Sequence, residues 1–101
     1  MPSQKMYVLV RNDLAEKYRF VQGAHALAQF GLDHPKEFKE WGNKTIVFLG
    51  IRNFKKMIKW VTILENLDKA FSDFYEPDLD MQLTAIACYD NGEDFKKLDV
   101  A

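Results

Sequence analysis

Gln22 and His25, three residues apart, are the pair whose types and spacing best suit acid–base chemistry in this chain. On a helix that spacing puts both on neighbouring turns of one face. A histidine with a carboxylate in reach can take a proton from water attacking an ester or amide. A glutamine one turn earlier can orient that water or donate to the developing oxyanion. The carboxylates on offer are Asp13, two residues after Arg11, and Glu76 and Asp78 in the acidic loop Glu76-Pro77-Asp78-Leu79-Asp80. Each also has an ordinary structural role. Asp13 suffices as a helix cap, the loop acids as solubilising charges, Gln22 as an exposed helix residue and His25 as a partly buried residue with one hydrogen bond.

Other chemistries find less support. Cys88 follows Ala85, Ile86 and Ala87, which reads as a buried thiol with no basic neighbour to make it a thiolate. As the chain's one cysteine it excludes an internal disulfide framework and fits a reducing compartment. His34, beside Pro35, reads as a loop residue, and no spacing among the two histidines and the cysteine suits a metal. No glycine-rich loop follows the first apolar run, which argues against dinucleotide and P-loop enzymes. No metal or cofactor is expected.

These side chains need elements to position them. Residues 6–10 are a continuous apolar run of strand formers, as expected of a strand covered on both faces. Asn12 or Asp13 can cap the helix that follows, over about residues 15–31. In that helix Phe20, Val21, Ala24, Leu27 and Ala28 form one core-facing stripe, and Tyr18, Gln22, His25 and Gln29 a polar one. Pro35 starts a short helix to Trp41, which Gly42-Asn43 ends. Residues 45–49 form a second apolar strand closed by Gly50, and a second long helix starts at Asn53 with Phe54, Met57, Ile58, Val61 and Leu64 on its stripe. Trp60 falls off that stripe, which suggests exposure and a dimer contact. Residues 71–75 and 83–89 are two further strands, split at Pro77, and Asp90-Asn91-Gly92 is a turn. The order predicts an α/β protein with a mixed sheet of about four strands and helices on its faces. In such sheets sites gather beyond the carboxyl ends of the strands, where Arg11 to Asp13 must lie.

The whole chain, residues 1–101, reads as one domain, and 48% hydrophobic with 14% aromatic residues excludes disorder. No segment has the apolar length of a membrane span, and the stretch Met1-Pro2-Ser3-Gln4-Lys5 does not read as a secretion leader. A cytoplasmic protein without membrane contact is expected. The net charge of −1 is uneven: residues 1–60 carry +6 and residues 61–101 carry −7. Folding can either segregate these charges into a phosphate-attracting basic face and an acidic one, or interleave them.

The run Lys5-Met6-Tyr7-Val8-Leu9-Val10-Arg11-Asn12-Asp13-Leu14 resembles the opening strand and R-x-D-L corner of the archaeal/eukaryotic-type peptidyl-tRNA hydrolases. Gln22-Gly23-Ala24-His25-Ala26 is similar to the Q-x-x-H-A segment of their first helix, and Leu83-Thr84-Ala85-Ile86-Ala87 to their final strand. The resemblance implies a three-layer α/β/α sandwich, often dimeric. It implies cofactor-free hydrolysis of the ester joining a peptide to tRNA. It carries catalytic positions onto His25, Gln22 and Asp13, and matches Thr84 to the threonine leading into the last strand. The family's lysine run before the helix glutamine is shortened here to Ala15-Glu16-Lys17-Tyr18-Arg19-Phe20. Tyr18 stands at the aligned lysine, leaving Lys17 or Arg19, with Arg11, as substrate-binding cations. The loop that supplies a catalytic aspartate has lost its arginine, and Glu76 or Asp78 replaces the carboxylate.

Three function classes follow. The first is a peptidyl-tRNA-hydrolase-like enzyme with tRNA as partner. The second is a non-catalytic module binding a nucleotide or a protein in the same cleft. The third is a homodimer-forming protein with Trp60 or the Gly23/Ala26 surface at its interface.

Overall fold

The computed structural model describes residues 4–101. Met1, Pro2 and Ser3, part of the stretch from which the absence of a leader is read, lie outside the described residues. The elements run β1 (Lys5–Arg11), α1 (Glu16–Asp33), α2 (Pro35–Trp41), β2 (Ile46–Ile51), α3 (Phe54–Asn66), β3 (Phe71–Glu76) and β4 (Gln82–Asp90). A single 3-10 turn at Pro77–Leu79 joins β3 to β4, and another follows β4 at Glu93–Phe95. The result is an α/β protein with a four-stranded mixed sheet, ordered β2-β1-β4-β3, and three helices.

β1 pairs in parallel with β2, as a strand–helix–strand crossover requires, and antiparallel with β4. β3 pairs antiparallel with β4, as their short connection demands. Both neighbours of β1 are strands, and alternate residues of it enter two separate apolar clusters. Tyr7 and Leu9 join Ile86 and Cys88 with Met57 and Leu64 of α3. Met6, Val8 and Val10 join Ala85 and Ala87 with Ala26 and Phe30 of α1 and Trp41 of α2. This double coverage is why β1 reads as an unbroken apolar run.

Helix α1 sits on the sheet by a different face from the one its hydrophobic spacing suggests. Gln22, Gly23, Ala26 and Phe30 are buried, whereas Phe20 and Val21 are 41% and 49% exposed. A Cβ added at Gly23 would meet Phe48 Cε2 at 2.6 Å, with Val8 and Val10 at 3.1 Å. The small side chains let the helix backbone approach the strands. The bulky Phe20 is displaced to the rim, where its ring packs on Phe48 at 5.2 Å. The cap also differs: Ala15, with no side-chain hydrogen bond, starts the helix, while Asp13 pairs with Arg11 instead.

In α3 the core-facing residues are Met57, Val61 and Leu64 together with Trp60, whose ring lies 5.3 Å from Phe95. Ile58 is exposed, so Trp60 and not Ile58 extends the buried stripe. The 3-10 turn after β4 supplies Phe95 as a partner that helical periodicity does not register. Gly50 lies within β2, whose outer edge is covered by the last residues of the chain. Gly50 N–H donates to Asp99 O at 2.9 Å, and Ala101 N–H to Phe48 O at 3.0 Å. Among the described residues no helix is long and apolar enough to cross a membrane.

Candidate functional site

β4 carries the irregularity that builds the site. Its pairing with β3 shifts between Phe74 and Tyr75, so that Ala85 faces Phe74, Leu83 faces Tyr75, and Thr84 is the extra residue. A bulge of this kind re-aims one side chain out of the strict alternation. Ile86 and Cys88 belong to the α3 cluster and Ala85 and Ala87 to the α1 cluster, so an unbroken alternation would put Thr84 on the α3 side. Instead Thr84, fully buried, turns to α1 and meets Gln22, its Oγ1 2.7 Å from Gln22 Oε1.

Gln22 passes the contact on. Its Nε2 donates to Glu76 Oε1 at 2.9 Å, at the end of β3. The amide orientation follows from the chemistry of the partners. An ionised carboxylate only accepts, so the amide nitrogen must face Glu76 and the amide oxygen must face Thr84, whose hydroxyl donates. Gln22 is 4% exposed, so neither bond competes with bulk water. The other oxygen of Glu76 faces the Asp78 N–H at 3.5 Å. Asp80 and Met81 both adopt left-handed φ, 54° and 59°, and Met81 N–H donates to Glu76 O at 2.9 Å. The tight turn thus holds the carboxylate end of β3 in place.

A cavity of about 380 Å³ opens on this chain, lined by Leu14, Tyr18, Gln22, Glu76, Asp78 and Leu79. It lies beyond the carboxyl end of β1. Three of the sequence-designated residues, Gln22, Glu76 and Asp78, therefore share it, and Thr84 stands directly behind Gln22. Leu14, Tyr18 and Leu79 supply its apolar wall. Isolated leucines in otherwise polar loops were the only sequence signal for two of them.

The remaining candidates lie around this cavity without lining it. His25 is exposed, and its ring stacks on Phe74 at 4.6 Å with an interplanar angle of 9°. Arg11 is 5% exposed and fully engaged. Its guanidinium makes a two-pronged pair with Asp13 at 2.9 and 2.7 Å, donates to Gln82 Oε1 at 2.8 Å and to Leu83 O at 3.2 Å, and lies over the Phe54 ring. The hydrogen bonds from Arg11 hold the Asp13 carboxyl below the usual carboxylate range. Gln82 pairs with Glu76 across the sheet, so Arg11 braces the floor of the site. Nothing in the sequence marks Gln82 for this. Arg19 binds Leu14 O and Asn12 O, fixing the corner between β1 and α1. Lys17 is exposed, its ammonium 5.2 Å from the Tyr18 ring centre.

Burial pushes the Cys88 thiol up to about 12, so it is no nucleophile at neutral pH. Among the described residues no group of three or more His, Cys, Asp and Glu side chains could hold a metal ion, and no buried side-chain nitrogen or oxygen lacks a partner. Compared with protein-family models and with curated proteins, the chain matches none.

Proposed function

We propose that the chain is a peptidyl-tRNA-hydrolase-like protein, a single domain that hydrolyses the ester between a peptide or amino acid and tRNA in the cytoplasm. The observation that carries this reading is the hydrogen-bond chain Thr84–Gln22–Glu76 at the wall of the cavity. Gln22 and Thr84 are positions the family resemblance designates, and Glu76 stands where it calls for a carboxylate. The two apolar clusters, with α1 and α2 in one and α3 in the other, support the three-layer arrangement of that family.

In this reading Glu76 is the general base. A water held by its free lone pairs attacks the ester carbonyl carbon, and Glu76 takes the proton as the new C–O bond forms. The tetrahedral intermediate collapses, the ester C–O bond breaks, and the proton passes from Glu76 to the departing sugar oxygen. Gln22 keeps the carboxylate aimed at the cavity, and its second N–H is free to stabilise the oxyanion. His25, on the rim, contacts substrate beyond the reacting bond. Asp13 acts through Arg11 and Gln82, and Lys17, its ammonium 5.2 Å from the ring centre of the cavity-lining Tyr18, offers a cation to the substrate.

Release of labelled N-blocked amino acid from tRNA tests this, comparing wild type with Glu76→Gln. Equal rates in the two proteins remove the general-base role. The second reading is a non-catalytic module for a nucleotide or protein partner, and one feature favours its protein arm: Glu76 and Asp78 line the cavity without a cation among its lining residues, which suits a basic protein segment and not a phosphate. A ligand that raises the melting temperature while no ester is cleaved would establish it in place of the first.

A further inference from the structure

The start of α3 bears a concentration of positive charge that the cavity chemistry leaves unused. Arg52, Lys55, Lys56 and Lys59 fall within eight residues that contain no acid, and all four are exposed. Lys97, from the segment that follows β4, faces them. Among the described residues none of these five side chains forms an ion pair or donates a hydrogen bond. The ion pairs among the described residues use Arg11, Lys69 and Lys96 instead.

These cations lie along two open, adjoining depressions of the surface. An open depression of about 280 Å³ lies between the end of β2, α3 and the C-terminal segment, with Arg52, Lys56, Trp60 and Lys97 among its lining. The carboxylate of Asp99 is the one acid that lines it. Lys56 also lines an adjoining shallow depression with Lys55, Ile58 and Lys59. Lys56 lines both, so the cations of α3 form a basic track about 10 Å long along the helix axis, with Lys97 beside it.

We infer that this track docks the phosphate backbone of a single-stranded nucleic acid. Unpaired lysines and an arginine at intervals along a track attract a chain of phosphates and release its counterions. A single inorganic phosphate would engage only a fraction of them. A flexible single strand can bend to follow cations carried by both α3 and the C-terminal segment, which a flat bilayer surface follows less closely. The track lies at the same end of the sheet as the cavity, because β1 and β2 are parallel and Arg11 pairs with Ile51, next to Arg52. It nevertheless stands on its own geometry and does not depend on hydrolysis at Glu76.

Fluorescence anisotropy with a labelled single-stranded RNA of mixed sequence, carrying no ester, tests the proposal over a series of salt concentrations. Binding should weaken linearly on logarithmic axes as salt rises. The double variant Lys55→Glu/Lys59→Glu should bind about tenfold or more weakly, with a salt slope shallower by about one per lysine. Arg52→Gln/Lys97→Gln, on the other part of the track, should weaken binding in the same way. The control Lys36→Glu/Lys39→Glu, on the exposed face of α2, changes net charge equally and should bind as wild type. Thermal melts of each variant check that the fold is kept. The inference is overturned if wild type does not bind the RNA, if both track variants bind as tightly as wild type, or if the α2 control weakens as much. It is also overturned if vesicles of phosphatidylserine and phosphatidylcholine are bound and the RNA is not.

Discussion

Two polar regions at the carboxyl end of the parallel strands use their charges in opposite ways. At the cavity, Thr84, Gln22 and Glu76 satisfy one another, and Arg11 spends its donors on Asp13, Gln82 and Leu83. Along α3, Arg52, Lys55, Lys56, Lys59 and Lys97 have no ionic partner among the described residues. A network closed on itself is rigid, holds one carboxylate in one orientation, and costs stability when any member is removed. Unpaired surface cations are flexible and strongly hydrated, contribute little to folding, and gain by meeting an external polyanion. The first region is suited to chemistry on a small group and the second to holding a long one.

Substitutions that separate stability from function sharpen this contrast. The largest effect is expected for Glu76→Gln, which should lower ester hydrolysis by about 10²- to 10⁴-fold, the usual worth of a positioned general base. His25→Ala should cost clearly less in the same assay, since its ring packs on Phe74 outside the cavity lining. A loss as large as that of Glu76→Gln would transfer the proton-handling role to the histidine.

Gln22→Ala should come next, destabilising the protein by about 1–3 kcal/mol in urea unfolding. It leaves the Thr84 hydroxyl only the longer 3.4 Å contact to Phe74 O and removes the amide donor from Glu76 Oε1. Gly23→Ala, one residue on, should cost a similar ~1–3 kcal/mol by forcing Phe48 away from the 2.6 Å approach. An unchanged midpoint in that variant would mean that α1 can lift off the strands freely.

A pH effect should follow from the Arg11–Asp13 pair. Its hydrogen bonds hold the folded Asp13 pKa below the ordinary 3.8. The stabilisation is therefore fully present above that value and is lost as pH falls through the depressed one. The stability gap between wild type and Asp13→Asn should accordingly narrow when unfolding is compared at neutral pH and at about pH 3. A gap that widens on acidification would contradict the pairing. The smallest effect is expected for Lys59→Glu, which should alter stability by less than about 0.5 kcal/mol while weakening RNA binding. A larger destabilisation would show that the α3 cations serve the fold.

How far the site was legible depended on whether a residue's role is local. The apolar run of β1, the crossover to β2 and the break at Pro77 all follow from period and turn chemistry within a few residues. Gln22, Glu76 and Asp78 were identifiable as candidates, but their meeting was not, since 54 residues separate Gln22 from Glu76. Hydrophobic spacing points to a different face of α1 because it weighs large side chains, whereas Gly23 and Ala26 gain by bringing backbone close to Val8 and Val10. Trp60 falls off the periodic stripe because Phe95, its partner, arrives from a 3-10 turn 35 residues later.

Residue order alone thus settled the elements, the parallel and antiparallel pairings they permit, and the inventory of groups able to do chemistry. Hydrophobic period and loop length act over short stretches of chain, so they can be read without coordinates. Only the tertiary structure decided which groups face each other. The bulge at Thr84 turns one side chain out of the strand alternation toward α1. That makes Gln22 a buried link to Glu76, while the rotation of α1 leaves His25 exposed on Phe74 and the path of the C-terminal segment brings Lys97 beside Arg52 and Lys56. Such contacts depend on the register of strands and the rotation of helices, and both are set by packing across the whole molecule.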